Sequence, residues 1–439
     1  MAIKIIGGGL AGAQAALITA KAGIETILYE MRPNLQTGAH KTGNFAEIVC
    51  SNSLGSKELS VASGLLKEEM RILGSDLIKA ADESKIEAGG ALAVDREVFS
   101  AKINSLIEQN PNIKIVRQEV EEIPTYEPCI VASGPLTSPK LAENIKTFTQ
   151  EENLHFYDAI APIIEKESVN FEKAFYANRY DKGGADYINC PMNKDEYLRF
   201  YEFLINAPTI ELKEFEKGAK FFESCLPVEV IAKRGEDTLR FGPLKPVGLV
   251  DKRTNEKNYA VVQLRQDDLA ANLYNLVGFQ TNLKWGAQKE LIHLIPGLEN
   301  ANIVRYGVMH RNTYIFSPKV LNPTLQTKKR PDLFFAGQIT GVEGYSESIA
   351  TGLLAGINMA RFILGKELLT LPAQTMLGAL TNYITFEEHK KLNPINSNWG
   401  ILSPIEVEKK YQKDKKYKAE IYVKRSLNYL ETLVNGGII

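Results

Sequence analysis

Four cysteines, Cys50, Cys129, Cys190 and Cys225, are the softest nucleophiles in the chain. A thiolate adds to electron-poor carbon near neutral pH, more readily where a cation or a helix terminus lowers its pKa. Cys50 lies in the polar run Ile48-Val49-Cys50-Ser51-Asn52-Ser53-Leu54, and Cys225 in Glu223-Ser224-Cys225-Leu226-Pro227, where the proline restrains the backbone. These two are the candidates for nucleophilic work, although a cysteine is more often a small buried hydrophobe. Cys129, inside an apolar run, reads as such a hydrophobe; Cys190, ahead of Pro191-Met192, is intermediate. There is no C-x-x-C pair and no dense Cys/His spacing, so no metal site is expected. Four thiols in 439 residues fit a reducing, cytoplasmic setting. A further polar cluster, His310-Arg311-Asn312, follows an apolar stretch and reads most simply as structural.

The second chemistry-bearing pattern is Gly7-x-Gly9-x-x-Gly12, with Glu30 21 residues after Gly9. It leaves a strand and opens a helix, the setting in which this spacing binds a dinucleotide. Gly7 permits the turn, Gly9 lets backbone approach a pyrophosphate, and Gly12 allows close helix packing. Gly7, Gly8, Gly9, Leu10, Ala11 and Gly12 are therefore candidates for cofactor binding, with the helix N-terminus taking the phosphate charge and Glu30 the ribose hydroxyls. Far along the chain, Gly337-Gln338-x-x-Gly341-x-x-Gly344 is another glycine-rich strand exit leading into a helix. Gly337, Gln338, Gly341 and Gly344 are therefore candidates to hold a second part of the same dinucleotide. A Rossmann half closed by so distant an element favours FAD over NAD.

The elements that must position these groups follow from apolar periodicity. Ile3–Ile6, Thr26–Tyr29, Ala91–Val94, Ile113–Val116, 129–132 and 332–336 read as strands. Residues 10–22, 64–81, 96–109 and 346–364 read as helices, and a polar loop is expected up to about Ser60. The fold class is α/β: a doubly wound, Rossmann-like FAD-binding domain with an inserted α+β domain. The expected division is 1–150 plus 305–370 for the FAD domain, 151–304 for the insert, and a basic, helical C-terminal segment over 371–439. In that last segment, residues 406–425 hold eight Lys/Arg against four Asp/Glu, interleaved with Tyr411, Tyr417 and Tyr422. Such a mixture suits RNA contacts and equally suits a solvated helix face.

Charge balance is nearly neutral, 52 basic against 53 acidic residues, so a polyanion must dock on a local patch. No apolar run reaches the ~18–20 residues of a membrane span. The chain enters a strand at once, so no secretory signal is expected.

Taken together, the motifs resemble the folate- and FAD-dependent tRNA (uracil-5-)-methyltransferase family, TrmFO. The resemblance runs through most of the chain and includes GGGLAG (7–12), YEMRP (29–33), FAEIVCSNSL (45–54) and GGALAVDRE (89–97). Later come FFESCLPVEVIAKRGEDTLRFGPLKPVGL (221–249) and FFAGQITGVEGYSESIATG (334–352). The resemblance implies that 5,10-methylenetetrahydrofolate supplies a carbon and that FAD carries and reduces it. It also implies that NADH or NADPH restores the flavin. Cys225 matches the nucleophile that adds to uracil C6, Cys50 a second thiol near the flavin, and Tyr345 an aromatic residue beside it. The implied product is 5-methyluridine in the tRNA T-loop, at uridine 54. The same chemistry on 23S ribosomal RNA is the alternative. Rivals are a plain FAD oxidoreductase or wobble-uridine modifier, and a non-catalytic RNA-binding factor. Neither DNA nor a membrane is an expected partner.

Overall fold

The computed structural model describes residues 2–437 apart from 153, 160, 182–183, 211–225 and 255–256. Cys225 lies outside the described residues.

The strand Ile3–Ile6 is apolar on both faces except at Lys4, which is what a central strand covered on both sides requires. Around it a parallel sheet assembles in the order Leu333–Phe335, Cys129–Val131, Ile3–Ile6, Thr26–Tyr29, Ile113–Val116. Ile5 is in register with Leu28 on one side and Ile130 on the other, and all three are buried. The sheet is therefore built from both ends of the chain. Two helices that carry the glycine motifs, Leu10–Lys21 and Tyr345–Ile363, pack against each other. Their backbones approach so closely that a Cβ on Gly352 would lie 2.3 Å from the Ala11 carbonyl oxygen.

The intervening residues form a sheet of their own. It runs Phe175–Tyr176, Tyr187–Met192, Ala260–Gln266, Leu273–Leu276, Ile163–Glu165, Ile303–Arg305, each pair antiparallel. Its core of Ile188, Phe200, Leu264, Phe279 and Leu291 is separate from that of the parallel sheet. The outgoing strand Leu154–Ala159 and the returning strand Met309–Tyr314 pair antiparallel, tying the two crossings together.

Three expectations need correction. The helix read over 64–81 is two helices, Ala62–Ile72 and Asp76–Glu83. Gly74 takes a positive φ of 78° between them, and the Ser75 side chain caps the second by accepting from the Ile78 amide. Leu66, Met70, Leu73 and Leu77 still share one buried face, so the apolar period carried no sign of the break. The polar loop after Glu30 also contains a strand, Ser53–Ser56, paired antiparallel with Ala91–Val94. The C-terminal helices Met376–Ile384 and Lys415–Asn435 do not stand apart. Leu377, Leu380 and Leu430 belong to the same core as the parallel sheet.

Candidate active site

The first cleft opens where the parallel strands end. It is lined by Gly7, Gly9, Leu10, Ala11, Glu30, Gly337, Gln338 and Tyr345, among others. The Leu10–Lys21 helix points its N-terminus here with no side-chain cap and no acidic residue in its first turn. Its leading N–H groups are left for an anion. A Cβ on Gly9 would meet no protein atom within 4 Å, whereas one on Gly12 would lie 1.8 Å from the Gly7 carbonyl oxygen. Gly9 thus borders open space and Gly12 is pinned by packing, as a bound pyrophosphate demands. Glu30 accepts from the Gly8 amide at 2.9 Å and from the Arg32 amide and Nε, each at 2.9 Å. Burial alone would raise the Glu30 carboxyl, but the Arg32 hydrogen bond and charge, with the two amides, hold it below the usual range. The residues present fit FAD.

A second cavity adjoins the first, and both are walled by Val49, Pro135, Leu136, Gln338 and Tyr345. Cys50 lines this second cavity, together with Gln280, Asn312, Glu343, Glu347, Asn396 and Ser397. The Cys50 amide donates to the Tyr345 hydroxyl at 2.7 Å, so the two sequence candidates meet where the cavities join. Glu347, in the first turn of its helix, accepts from the Ser397 amide at 2.9 Å and its hydroxyl at 2.6 Å. That pair fastens the C-terminal segment to the cavity wall.

The remaining candidates fall elsewhere. Cys129 is buried in the parallel sheet, where desolvation pushes its thiol up to about 12. Cys190 is fully buried in the insert's core, and burial raises its thiol as well. Neither lines either of the two cavities. Gly344 lines the second cavity, but Gly341 lines neither of the two. The Gly341 amide donates to Gln338 O, and a Cβ there would meet Leu392 at 2.7 Å. The Gly337 amide is likewise engaged, by Thr351 Oγ1 at 2.9 Å. Gly8 shapes the turn: its added Cβ would lie 2.5 Å from the Phe45 ring. The side chains of His310 and Arg311 lie outside the described residues, while Asn312 is buried. Among the described residues no cluster of His, Cys, Asp and Glu has the geometry of a metal site. Nor, among the described residues, is any helix long and apolar enough to cross a membrane.

Sequence reading missed the cations around Cys50. Arg96 donates to Ile48 O at 3.0 Å and to Cys50 O at 2.6 Å, and Arg305 to Val49 O at 2.6 Å. Arg265 bonds the Ser51 hydroxyl. Lys67, fully buried, donates to Leu54 O at 2.8 Å, and burial lowers its amine to about 8. No local pattern marks these contacts, since each joins residues that meet only in the folded chain.

Comparison with known proteins follows the same division. A family model described as glucose inhibited division protein A matches residues 2–367. The solved structure of Aquifex aeolicus GidA superposes with a TM-score of 0.71 over 98% of this chain and 73% of that one, at 19% identity, which speaks to the fold alone. The methylenetetrahydrofolate–tRNA-(uracil-5-)-methyltransferases TrmFO of Anoxybacillus flavithermus and Bacillus cytotoxicus are each 57% identical to it, over 99% of both chains. With that identity along its whole length, the chain belongs to the TrmFO family.

Proposed function

We propose that this chain methylates C5 of uridine 54 in the T-loop of tRNA, taking carbon from 5,10-methylenetetrahydrofolate and reducing equivalents from NADH or NADPH. The observation that carries this reading is the contact between Cys50 and Tyr345 at the junction of an FAD-shaped cleft and a second cavity. The full-length relatives' names support the carbon donor and the RNA class. Bound in the cleft, FAD supplies the electron store and carbon carrier that the reaction needs. The chain's own groups do the rest. Uracil C5 gains nucleophilicity when a thiolate adds at C6, the role that Cys225 takes from its motif. Cys50 then accepts the C5 proton from its place beside the cofactor cleft. Overall, uridine, methylenetetrahydrofolate, NAD(P)H and one proton give 5-methyluridine, tetrahydrofolate and NAD(P)⁺. A cytoplasmic location accords with four cysteines and tRNA as substrate.

The test is product analysis with a tRNA transcript, methylenetetrahydrofolate and NADH or NADPH. The expected result is 5-methyluridine at position 54, and none in a transcript carrying cytidine there. Modification of a 23S ribosomal RNA fragment with tRNA left untouched would replace the target. Modification at the wobble position would overturn the reading.

A further inference from the structure

Three arginines from three separate elements converge on the four residues Ile48–Ser51. Arg96 opens the Arg96–Glu108 helix, Arg265 lies in the Ala260–Gln266 strand of the insert, and Arg305 ends the Ile303–Arg305 strand. Their donors take Ile48 O, Val49 O, Cys50 O and the Ser51 hydroxyl in turn, so a helix beside the parallel sheet and two strands of the insert's sheet grip the loop. This is far more positive charge than four neutral acceptors need. We propose that Arg96, Arg265 and Arg305 are positioning residues that fix the Cys50 loop and surround its sulfur with the positive charge that keeps it a thiolate.

The charges around the site support this. Asp267 is ion-paired with Arg96 at 3.0 Å, and its charge also acts on Arg265 and Arg305. Lys41 adds a further cation that interacts with Arg96 and Arg305. Of the other carboxylates nearby, Glu47 is ion-paired with Arg32 and Glu347 interacts with the charge of Lys67, while Glu343 is held by a hydrogen bond from the neutral Gln338 amide. Tyr345 meets the Cys50 amide through its hydroxyl. Arg265 and Arg305 are both held below the usual guanidinium value, by burial first, with the charge of Arg96 acting the same way. Charge on Cys50 raises both again. That coupling is mutual, so the guanidiniums favour the ionised sulfur. An arginine stays protonated at any working pH, so the field is permanent.

The contribution to turnover rests on Cys50 being a reaction thiol as proposed above; the effect on the thiol itself does not. The experiment is site-resolved alkylation of Cys50 by iodoacetamide across pH, on FAD-loaded protein with a non-thiol reductant. In the wild type the midpoint should fall below the ~8.5 of an ordinary cysteine. In Arg305→Gln it should rise by about one pH unit or more, with Arg305→Lys restoring most of the difference. Lys41→Gln removes an exposed charge without touching the loop's hydrogen bonds and should raise the midpoint by less. The acid limb of kcat should move with the alkylation midpoint. An ordinary midpoint in the wild type, or one that none of these variants moves, overturns the proposal. A midpoint that moves as stated in a protein without methyl transfer leaves the proposal standing and defeats the proposed function instead.

Discussion

A valine at Gly9 offers the cleanest separation of folding from cofactor binding. Gly9 has a φ of −72°, which any residue adopts, and its Cβ would point into open space. Gly9→Val should therefore leave the unfolding midpoint near wild type while the purified protein loses its yellow colour. Alanine at Gly12 would collide with the Gly7 carbonyl and should lower stability instead. Retained flavin absorbance in Gly9→Val would refute the cleft assignment. Cys225→Ala should abolish 5-methyluridine formation with FAD still bound, because C6 addition is lost and the cofactor cleft is untouched. Near wild-type turnover would remove Cys225 from the mechanism. Cys190 would not replace it, being sealed in the core. At this scale the placement of Gly7, Gly9, Glu30, Cys50 and Tyr345 around the two cavities was legible because each lies in a short motif. The arginines were not: Arg96 reaches Cys50 across 46 positions and Arg305 reaches Val49 across 256. Such partnerships exist only once the chain has folded.

Between elements, Glu69 joins three helices. It lies in Ala62–Ile72 and accepts from the Met376 amide at 2.6 Å, the Leu377 amide at 2.8 Å and the Ser426 hydroxyl at 2.5 Å. Complete burial raises its carboxyl to about 7, against the pull of those three donors. A carboxyl raised on folding contributes stability that is full below about 4.5, the ordinary glutamate value, and lost as pH climbs through about 7. At about 1.4 kcal/mol per unit, the change is about 3 kcal/mol. Glu69→Gln cannot ionise, and it sets an amide against one donor at a cost that is the same at every pH. Denaturant unfolding of the two proteins should therefore show their stability difference shifting against the wild type between pH 4.5 and 8. A constant difference would mean that the carboxyl titrates normally. The helices themselves were legible from apolar spacing at 10–21, 96–108 and 345–363. The burial of Lys67 and Glu69 was not, because charged residues beside an apolar stripe read as its solvent edge. Here the C-terminal helices and the Cys50 loop cover that edge.

For the molecule as a whole, a net charge of −1 supplies no long-range attraction to RNA, so affinity must come from a patch. The continuity of the C-terminal segment with the second cavity makes that segment the first patch to test. Asn396 and Ser397 line the cavity, Trp399 stacks on Tyr422 at 5.5 Å, and Arg425 holds the carbonyls of Ser403 and Pro404. From there the chain turns through Lys409–Tyr411 into the helix Lys415–Asn435. Lys409, Lys410, Lys413, Lys415 and Lys416 are exposed around a Tyr411–Tyr417 stack whose rings are 4.1 Å apart. Lysines flanking a flat aromatic pair match a phosphate backbone with bases to stack. Replacing Lys409, Lys410, Lys415 and Lys416 with glutamine should weaken tRNA binding and flatten its dependence on salt. Every lysine–phosphate pairing removed in this way should reduce the slope by about 0.9, by analogy with duplex DNA. Flavin reduction by NAD(P)H should not change, since the substituted side chains are exposed on another element. A slope identical to wild type would make this a solvated face and move the search to Lys233, Arg234 and Lys245 of the insert.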